Sequence, residues 1–324
     1  MELRLYRENT VTVINQLVRG LTWSGDKAQA ARQLAFDLVT NAPGVPMTVR
    51  NGDHLELLDD AGACRFFGMV VQVRQRTDSP TVSVTAYDRG IYLANNDGTY
   101  KFRGVDPADA AAVVCRDYDI PYSRLERAGA AVTRIFAGVS LWQIIATLYT
   151  KAGEQNGKRY MARFIGRELE VTERTVQPTS LVIRPGSNLL NASTTRSVVN
   201  MRNSVAIYDG DGNRLRVVED GDAVKLYGLM QKHVTQRDGE DAAGEAQSIL
   251  DDSGEAQTVS VTALGNMAVM TGDTVVAYQP DAGLRGVFWV DSDTHQWSKG
   301  LYTMQLTLNL KNMAYTANAG SDKE

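Results

Sequence analysis

Both ends of the chain alternate between apolar and polar residues with a period of two. LRLY alternates over Leu3 to Tyr6, and Leu34, Phe36 and Leu38 recur at every second place in QLAFDLV. That is the spacing of a half-buried strand, although an amphipathic helix starting at Ala28 competes for the same residues. HLELL, the polar turn DDAGA and the long run CRFFGMVVQVRQR predict a hairpin around Gly62. TVSVTAY, from Thr81 to Tyr87, sets Val82, Val84 and Ala86 on one face. Residues 1–95 therefore read as a first β domain.

The pattern changes in the middle. Asp106 followed by Pro107 is a helix start, an N-cap carboxylate and then proline at the first helical position. The helix ADAAAVVCRDY must end before Pro121. A second helix starts at Ser140, with Leu141, Ile144, Ile145 and Leu148 forming an apolar stripe and Gly153 and Gly157 as candidate stops. KRYMARFIGRELEVTER predicts a hairpin turning near Gly166. Residues 96–190 read as a small α/β insert.

Alternation returns over residues 191–324. NSVAIYDGDGNRLRVVED predicts a hairpin, DGEDAAGEAQSILDD a polar helix, and TVSVTAL, DTVVAYQ, GVFWVDSDTHQW and LYTMQLTLNL further strands. In the last of these, Tyr302, Met304, Leu306, Leu308 and Leu310 share one face. Thr303, Gln305 and Thr307 share the other, which is left for solvent, a lumen or a neighbour. The fold class expected is β-rich α+β, with two antiparallel β-barrels flanking the insert.

Two echoes link the ends. Thr-Val-Ser-Val-Thr-Ala occurs at Thr81 to Ala86 and again at Thr258 to Ala263. Gly52-Asp53, a strand, an Asp-Ala-Gly turn and Gly68 before an apolar run are echoed by Gly272-Asp273, a strand, Asp281-Ala282-Gly283 and Gly286. The two echoes come in different order in the two halves, which weakens simple tandem duplication. Shared strand-and-turn vocabulary remains the alternative.

Composition narrows the function. Lys and Arg total 34 against 38 Asp and Glu, a net charge of −4 that argues against a strongly basic nucleic-acid binder. Two cysteines and three histidines exclude a disulfide scaffold and a Cys/His zinc module. The N-terminus has no basic stretch followed by an apolar run, and no window has the length of a membrane span, so a folded, soluble protein made in the cytoplasm is expected.

Candidate chemistry is sparse. His54, His233 and His295 are dispersed. Asp291, Asp293 and His295 alternate, so they can face one side of a strand as a metal or acid–base set, or else cap a hairpin beside Trp297. Asp209, Asp211 and Asn213 imitate the start of a calcium loop. Arg214 replaces the required glycine and Asp220 the final glutamate, so a hairpin turn is the better reading. Cys64 and Cys115 read as buried small apolar residues. There is no G-x-S-x-G and no P-loop. A pair of catalytic carboxylates stays open, because Asp and Glu are plentiful. No catalytic, cofactor-binding or metal residue is assigned, and no cofactor or enzymatic activity is expected.

Several strings resemble a known family when taken in order. They are GLTWSGDKAQAARQLAFDL, FFGMVVQV, VSVTAYDRGIYLANN, VSLWQIIATLYTKAG, GKRYMARF, SVVNMRNSVAIYD, VTALGNMAVMTGD and GVFWVDSDTHQWSKGLYTMQLTL. The chain resembles the tail hub proteins of PBSX-like prophages and other contractile tails. The T-even baseplate hub and the late control protein D family are more distant relatives. The resemblance implies two tail-tube-like barrels per chain and a homotrimeric ring in the baseplate of a phage or tailocin. That ring would adapt a hexameric tail tube, or its initiator, to a trimeric central spike. The tape-measure protein, a LysM-containing peripheral tail protein and the baseplate wedge are the further partners implied, with no membrane and no sequence-specific nucleic acid. The location implied is the virion or tail-like particle, assembled in the bacterial cytoplasm. Larger relatives carry lysozyme or spike domains, which the ending NAGSDKE leads us not to expect here. A cell-wall hydrolase and a host carbohydrate-binding module are the competing readings. Aromatic residues at 7% favour the latter little.

Overall fold

Ten strands in two sets of five organise the molecule. The computed structural model describes residues 1–42, 45–75, 77–176, 181–236 and 242–322. The first set is β1 (Val18–Asp26), β2 (Gln33–Val39), β3 (His54–Leu58), β4 (Cys64–Gln75) and β5 (Thr81–Asp88). The second is β6 (Leu189–Ser197), β7 (Ala256–Leu264), β8 (Thr274–Gln279), β9 (Leu284–Ser298) and β10 (Leu301–Asn309). Within the sheet the first set runs β1-β2-β5-β4-β3 and the second β6-β7-β10-β9-β8. Each strand thus has a counterpart five numbers on, in the same order along the chain and across the sheet.

The Gly-Asp echo is real in the backbone. Gly52 and Gly272 take φ of 94° and 97°, where a side chain is strained. Gly52 N–H donates to Val70 O at 2.9 Å, and Gly272 N–H to Val290 O at 2.9 Å. The amides of Val70 and Val290 return bonds to Asp53 O and Asp273 O. Each aspartate side chain accepts the amide three residues back, Arg50 or Met270, at 2.9 Å. Directly after Val70 and Val290 both long strands carry a register shift, a β-bulge against β5 and β10. The repeated TVSVTA hexapeptide, by contrast, lies on β5 and β7, which are not counterparts. Its identity is strand vocabulary, and the difference in order noted from the sequence disappears with it.

QLAFDLV is a strand and not a helix, because β2 is laddered to β1 on one side and β5 on the other. Leu34, Phe36 and Leu38 join Leu21, Trp23, Leu55, Leu57, Val84 and Ala86 in one core. β1 also pairs with β9, from Leu21 opposite Trp297 to Asp26 opposite Ser292. The fold is therefore β-rich α+β, and the two end segments share one open sheet. No pairing among the described strands closes either segment into the barrel expected of it. On β10, Met304, Leu306 and Leu308 are buried as expected, whereas Leu310 lies past the strand end and is 52% exposed.

The insert forms as its caps dictate. Asp106 accepts the Ala108 amide at 2.9 Å and opens the helix Pro107–Asp117. Ser140 opens Leu141–Asn156, which ends at Gly157 in the left-handed region. The hairpin Tyr160–Ile165 and Glu168–Glu173 turns at Gly166. Two further strands, Asp97–Val105 and Val132–Ser140, pair beneath the helices. Val114, Phe136, Ile144, Leu148 and Phe164 share this second core. The chain end is sutured to the insert. Arg134 donates to Ala319 O and Asn318 Oδ1, and pairs with Asp322. Ile135 and Ser321 exchange backbone bonds at 2.8 Å, and Tyr315 stacks on Trp142.

By compactness the chain divides into Met1–Ala192 with Ser260–Glu324, and Ser193–Val259. The latter holds a three-stranded sheet, Ser204–Tyr208 between Arg214–Glu219 and Gln231–Thr235, packed on the helix Ala243–Asp252. Val205, Ile207, Val234 and Ala246 form its core. The part of the predicted polar helix before Ala242 lies outside the described residues.

Candidate functional site

The alternating Asp291, Asp293 and His295 sit inside β9, away from the hairpin turn, at the seam where β9 meets β1. Asp293 and His295 are 1% and 0% exposed. Arg32 Nη1 donates to Asp293 Oδ1 at 2.9 Å and Nη2 to Oδ2 at 2.5 Å. Thr271 adds its amide and hydroxyl to Oδ1, both at 2.6 Å. Burial alone would raise the Asp293 pKa. The charge of Arg32 and the hydrogen bonds from His295 and Arg32 outweigh it and hold the carboxyl well below its usual range. His295 Nε2 faces Val269 O at 2.9 Å, so it must donate, and Nδ1 meets the Tyr302 hydroxyl at 2.8 Å. Trp23 lies against the His295 ring on one side and carries the Arg32 guanidinium at 4.3 Å.

Gly25 makes this possible. A Cβ there would stand 2.3 Å from Arg32 Nη1, so only glycine lets the guanidinium cross β1 to reach β9. Asp291, the bulge residue, accepts from Lys27 Nζ at 2.6 Å, and the buried Arg174 guanidinium lies 3.7 Å from its other oxygen. The three residues singled out by spacing do share a site, but its chemistry is a welded joint between distant strands. The spacing gave no sign of Arg32, Lys27, Thr271 or Arg174, which lie on other elements. GLTWSGDKAQAAR carried the one available signal, a glycine and two cations beside a tryptophan.

The other buried carboxylates of the sheet are also engaged. Arg7 holds Asp53, Tyr6 and Arg167 hold Glu56, and Asp88 accepts the Gly90 amide. Burial pushes Asp88 up to about 7, against the pull of the Gly90 and Arg32 backbone bonds. Burial likewise raises the thiols of Cys64 to about 11 and Cys115 to about 12, which makes both poor nucleophiles. Asp209 closes its own turn, accepting the amides of Asp211 and Asn213. His54 stacks on Phe67 and His233 meets the edge of Tyr208, so the three histidines stay apart. Among the described residues, no group of three or more His, Cys, Asp or Glu side chains is placed to hold a metal ion. No helix of the described residues is long and apolar enough to cross a membrane.

Comparison with known proteins follows the fold. The phage-like element PBSX protein XkdQ of Bacillus subtilis (strain 168) is 22% identical over 306 residues, covering 91% of this chain and 93% of XkdQ. The 43 kDa tail protein of prophage MuSo2 from Shewanella oneidensis superposes with a TM-score of 0.75 at 12% identity, over 95% of this chain and 97% of that one. The Escherichia coli c3393 protein is described as a type VI secretion component similar to the T4 tail proteins gp27 and gp5. It superposes with a TM-score of 0.57 at 11% identity, over 99% of this chain and 79% of that one. The resemblance to tail proteins of PBSX-like prophages, drawn from ordered strings, holds. With its family model matched across residues 21–309, the chain belongs to the YQBQ-like family.

Proposed function

We propose that the chain is a structural protein of a contractile phage tail or tailocin. In this reading it forms the baseplate hub, a homotrimeric ring that adapts a sixfold tail tube to a threefold spike. The observation that carries the reading is the repeated five-strand unit with its matched Gly-Asp turn and bulge. Three chains bearing two such units each present six similar units around an axis, the simplest bridge between threefold and sixfold symmetry. Each unit would complete a tail-tube-like barrel only with its neighbours. The three-part division into 1–95, 96–190 and 191–324 then assigns the ring to the end segments. The spike, tape-measure and wedge proteins are partners of the hub in this reading. No catalytic role enters this reading, because the buried carboxylates of the sheet are engaged by cations or amides.

The test is a reconstruction of the intact particle. Three copies on the tail axis between tube and spike are expected. Six copies, or a position away from the axis, overturns the proposal.

A further inference from the structure

Within Ser193–Val259, the helix Gly221–Tyr227 buries none of its residues, yet it is held at both ends. At its start the Asp220 carboxylate accepts the amides of Asp222 and Ala223 at 3.1 and 3.0 Å. At its end the buried Asn203 side chain fastens the following turn. Its Nδ2 donates to Gly228 O at 2.7 Å, and its Oδ1 accepts the Met230 amide at 2.8 Å. What is held in place is apolar. Leu226 is 72% exposed, Leu229 61% and Tyr227 37%. The core of this unit does not use them, since it is made of Val205, Ile207, Val234, Ala242 and Ala246. A helix pinned in place with its leucines in water is a surface to be covered.

Charge says what covers it. Beside the helix runs a groove of about 530 Å³, with Met201, Leu226, Tyr227 and Leu250 as its apolar lining. Five carboxylates and one guanidinium also line it among the described residues. The guanidinium, that of Arg202, is turned back onto Met201 O at 2.9 Å. Asp220 is spent on the helix cap, and Asp222 lies 3.4 Å from Lys225. Glu219 and Glu255 are exposed and pair with no cation among the described residues. The wider setting has the same sign. Residues 193–259 hold 12 Asp and Glu against 7 Lys and Arg, so this segment carries −5 while the whole chain carries −4. We propose that the groove docks a partner protein through a short amphipathic segment. Apolar side chains of that segment lie on Leu226, Tyr227 and Leu250, and its lysines or arginines face Glu219 and Glu255. Nucleic acid and anionic lipid are repelled by the same carboxylates. The inference goes beyond the hub reading, because it depends on neither a ring nor an axial position.

Two measurements test it. In the first, fluorescein-labelled peptides with a helical Leu/Lys pattern, a Leu/Glu pattern and a Ser/Lys pattern are titrated with the purified full chain and followed by fluorescence anisotropy. The Leu/Lys peptide should bind about tenfold or more tightly than either of the others. Leu226→Ser with Leu229→Ser should weaken that binding about tenfold or more, and so should Glu219→Lys with Glu255→Lys. Leu301→Ser, at a side chain 54% exposed on the sheet, should leave it unchanged. All these side chains stand in water, so the variants should keep the wild-type circular dichroism. In the second, particles are assembled with Leu226 replaced by the photo-crosslinker benzoylphenylalanine. The crosslink should fall on a partner segment in which Lys and Arg outnumber Asp and Glu. Equal binding of the Leu/Glu peptide, or binding that survives both double variants, overturns the proposal. So does a crosslink to an acidic segment, to a second copy of this chain, or to nothing. None of these results changes the copy number or axial position by which the hub reading stands or falls.

Discussion

Breaking the seam one charge at a time should cost far more than removing both charges together. Asp293→Asn leaves the Arg32 guanidinium buried opposite a neutral amide. Arg32→Met leaves the Asp293 carboxylate held only by Thr271 and His295. The two side chains are 8% and 0% exposed, so neither orphaned charge can turn to water. Losing one partner of such a pair costs about 3–5 kcal/mol, whereas removing both charges is often close to neutral. Two costs of about 4 kcal/mol would sum to about 8. The double variant should instead lose only about 2–4 kcal/mol, a coupling of several kcal/mol. Each single loss is about a fifth or more of an ordinary folding free energy of about 5–15 kcal/mol. Urea unfolding of the four proteins, followed by far-ultraviolet circular dichroism, measures the cycle. pH supplies an internal check. The folded Asp293 carboxyl is held below its unfolded value of 3.8, so its stabilisation is present above that value and lost as pH falls. The gap between wild type and Asp293→Asn should stay constant from neutral pH to about pH 4 and close only below it. Strictly additive costs, or a single variant losing less than about 1 kcal/mol, would refute the reasoning.

Asp88 titrates with the opposite sign. Its folded pKa of about 7 lies above 3.8, so stability falls as pH rises toward 7, by up to about 4 kcal/mol in total. Asp88→Asn should remove that fall, and thermal melts at pH 4, 6 and 8 that keep the same spacing in both proteins would contradict it. Gly52→Ala and Gly272→Ala impose the same positive φ, at about 1–2 kcal/mol. Only the second also presses a Cβ to 3.1 Å from Met161 Cγ, so it should be the costlier in parallel denaturation. Gly320→Ala would drive a Cβ to 2.3 Å from Ile135 O. The expected result is a loss of about 2 kcal/mol or more, with limited proteolysis cutting first in the released tail.

The strands of the sheet were legible where one face is buried and the other wet, as in QLAFDLV, TVSVTAY and LYTMQLTLNL. Caps carried the insert helices, because Asp106-Pro107 and Ser140 make local bonds that need no tertiary partner. Strands whose partners are remote left weaker marks. β1 reads GLTWSGD, with two glycines and a serine, and its strand character comes from being clasped by β2 and β9. Asp97–Val105 and Val132–Ser140 mix charges into short apolar runs, and they exist because the two helices cover them. The Asp291, Asp293 and His295 spacing revealed a shared face, but spacing on one strand cannot name the cations that neutralise it. The hexapeptide repeat misled as to position, whereas the less conspicuous Gly-Asp echo fixed both turn and bulge.

The seam also sets a timetable for the chain as it is made. Arg32 and Asp293 are 261 residues apart. At about 5–20 residues per second, Arg32 leaves the ribosome about 13–50 s before its partner exists. Throughout that interval Trp23 and the outer edge of β1 stand unpaired on a nascent chain. They offer any other nascent copy a strand to seize, and this is the period when a holding chaperone has most to protect. The insert is likewise unfinished until the residues around Asn318 to Asp322 emerge and reach Arg134. A stalled or truncated translation product would carry both an unclasped β1 and an untied insert, and so would betray itself to proteases, whereas the finished chain covers both at once.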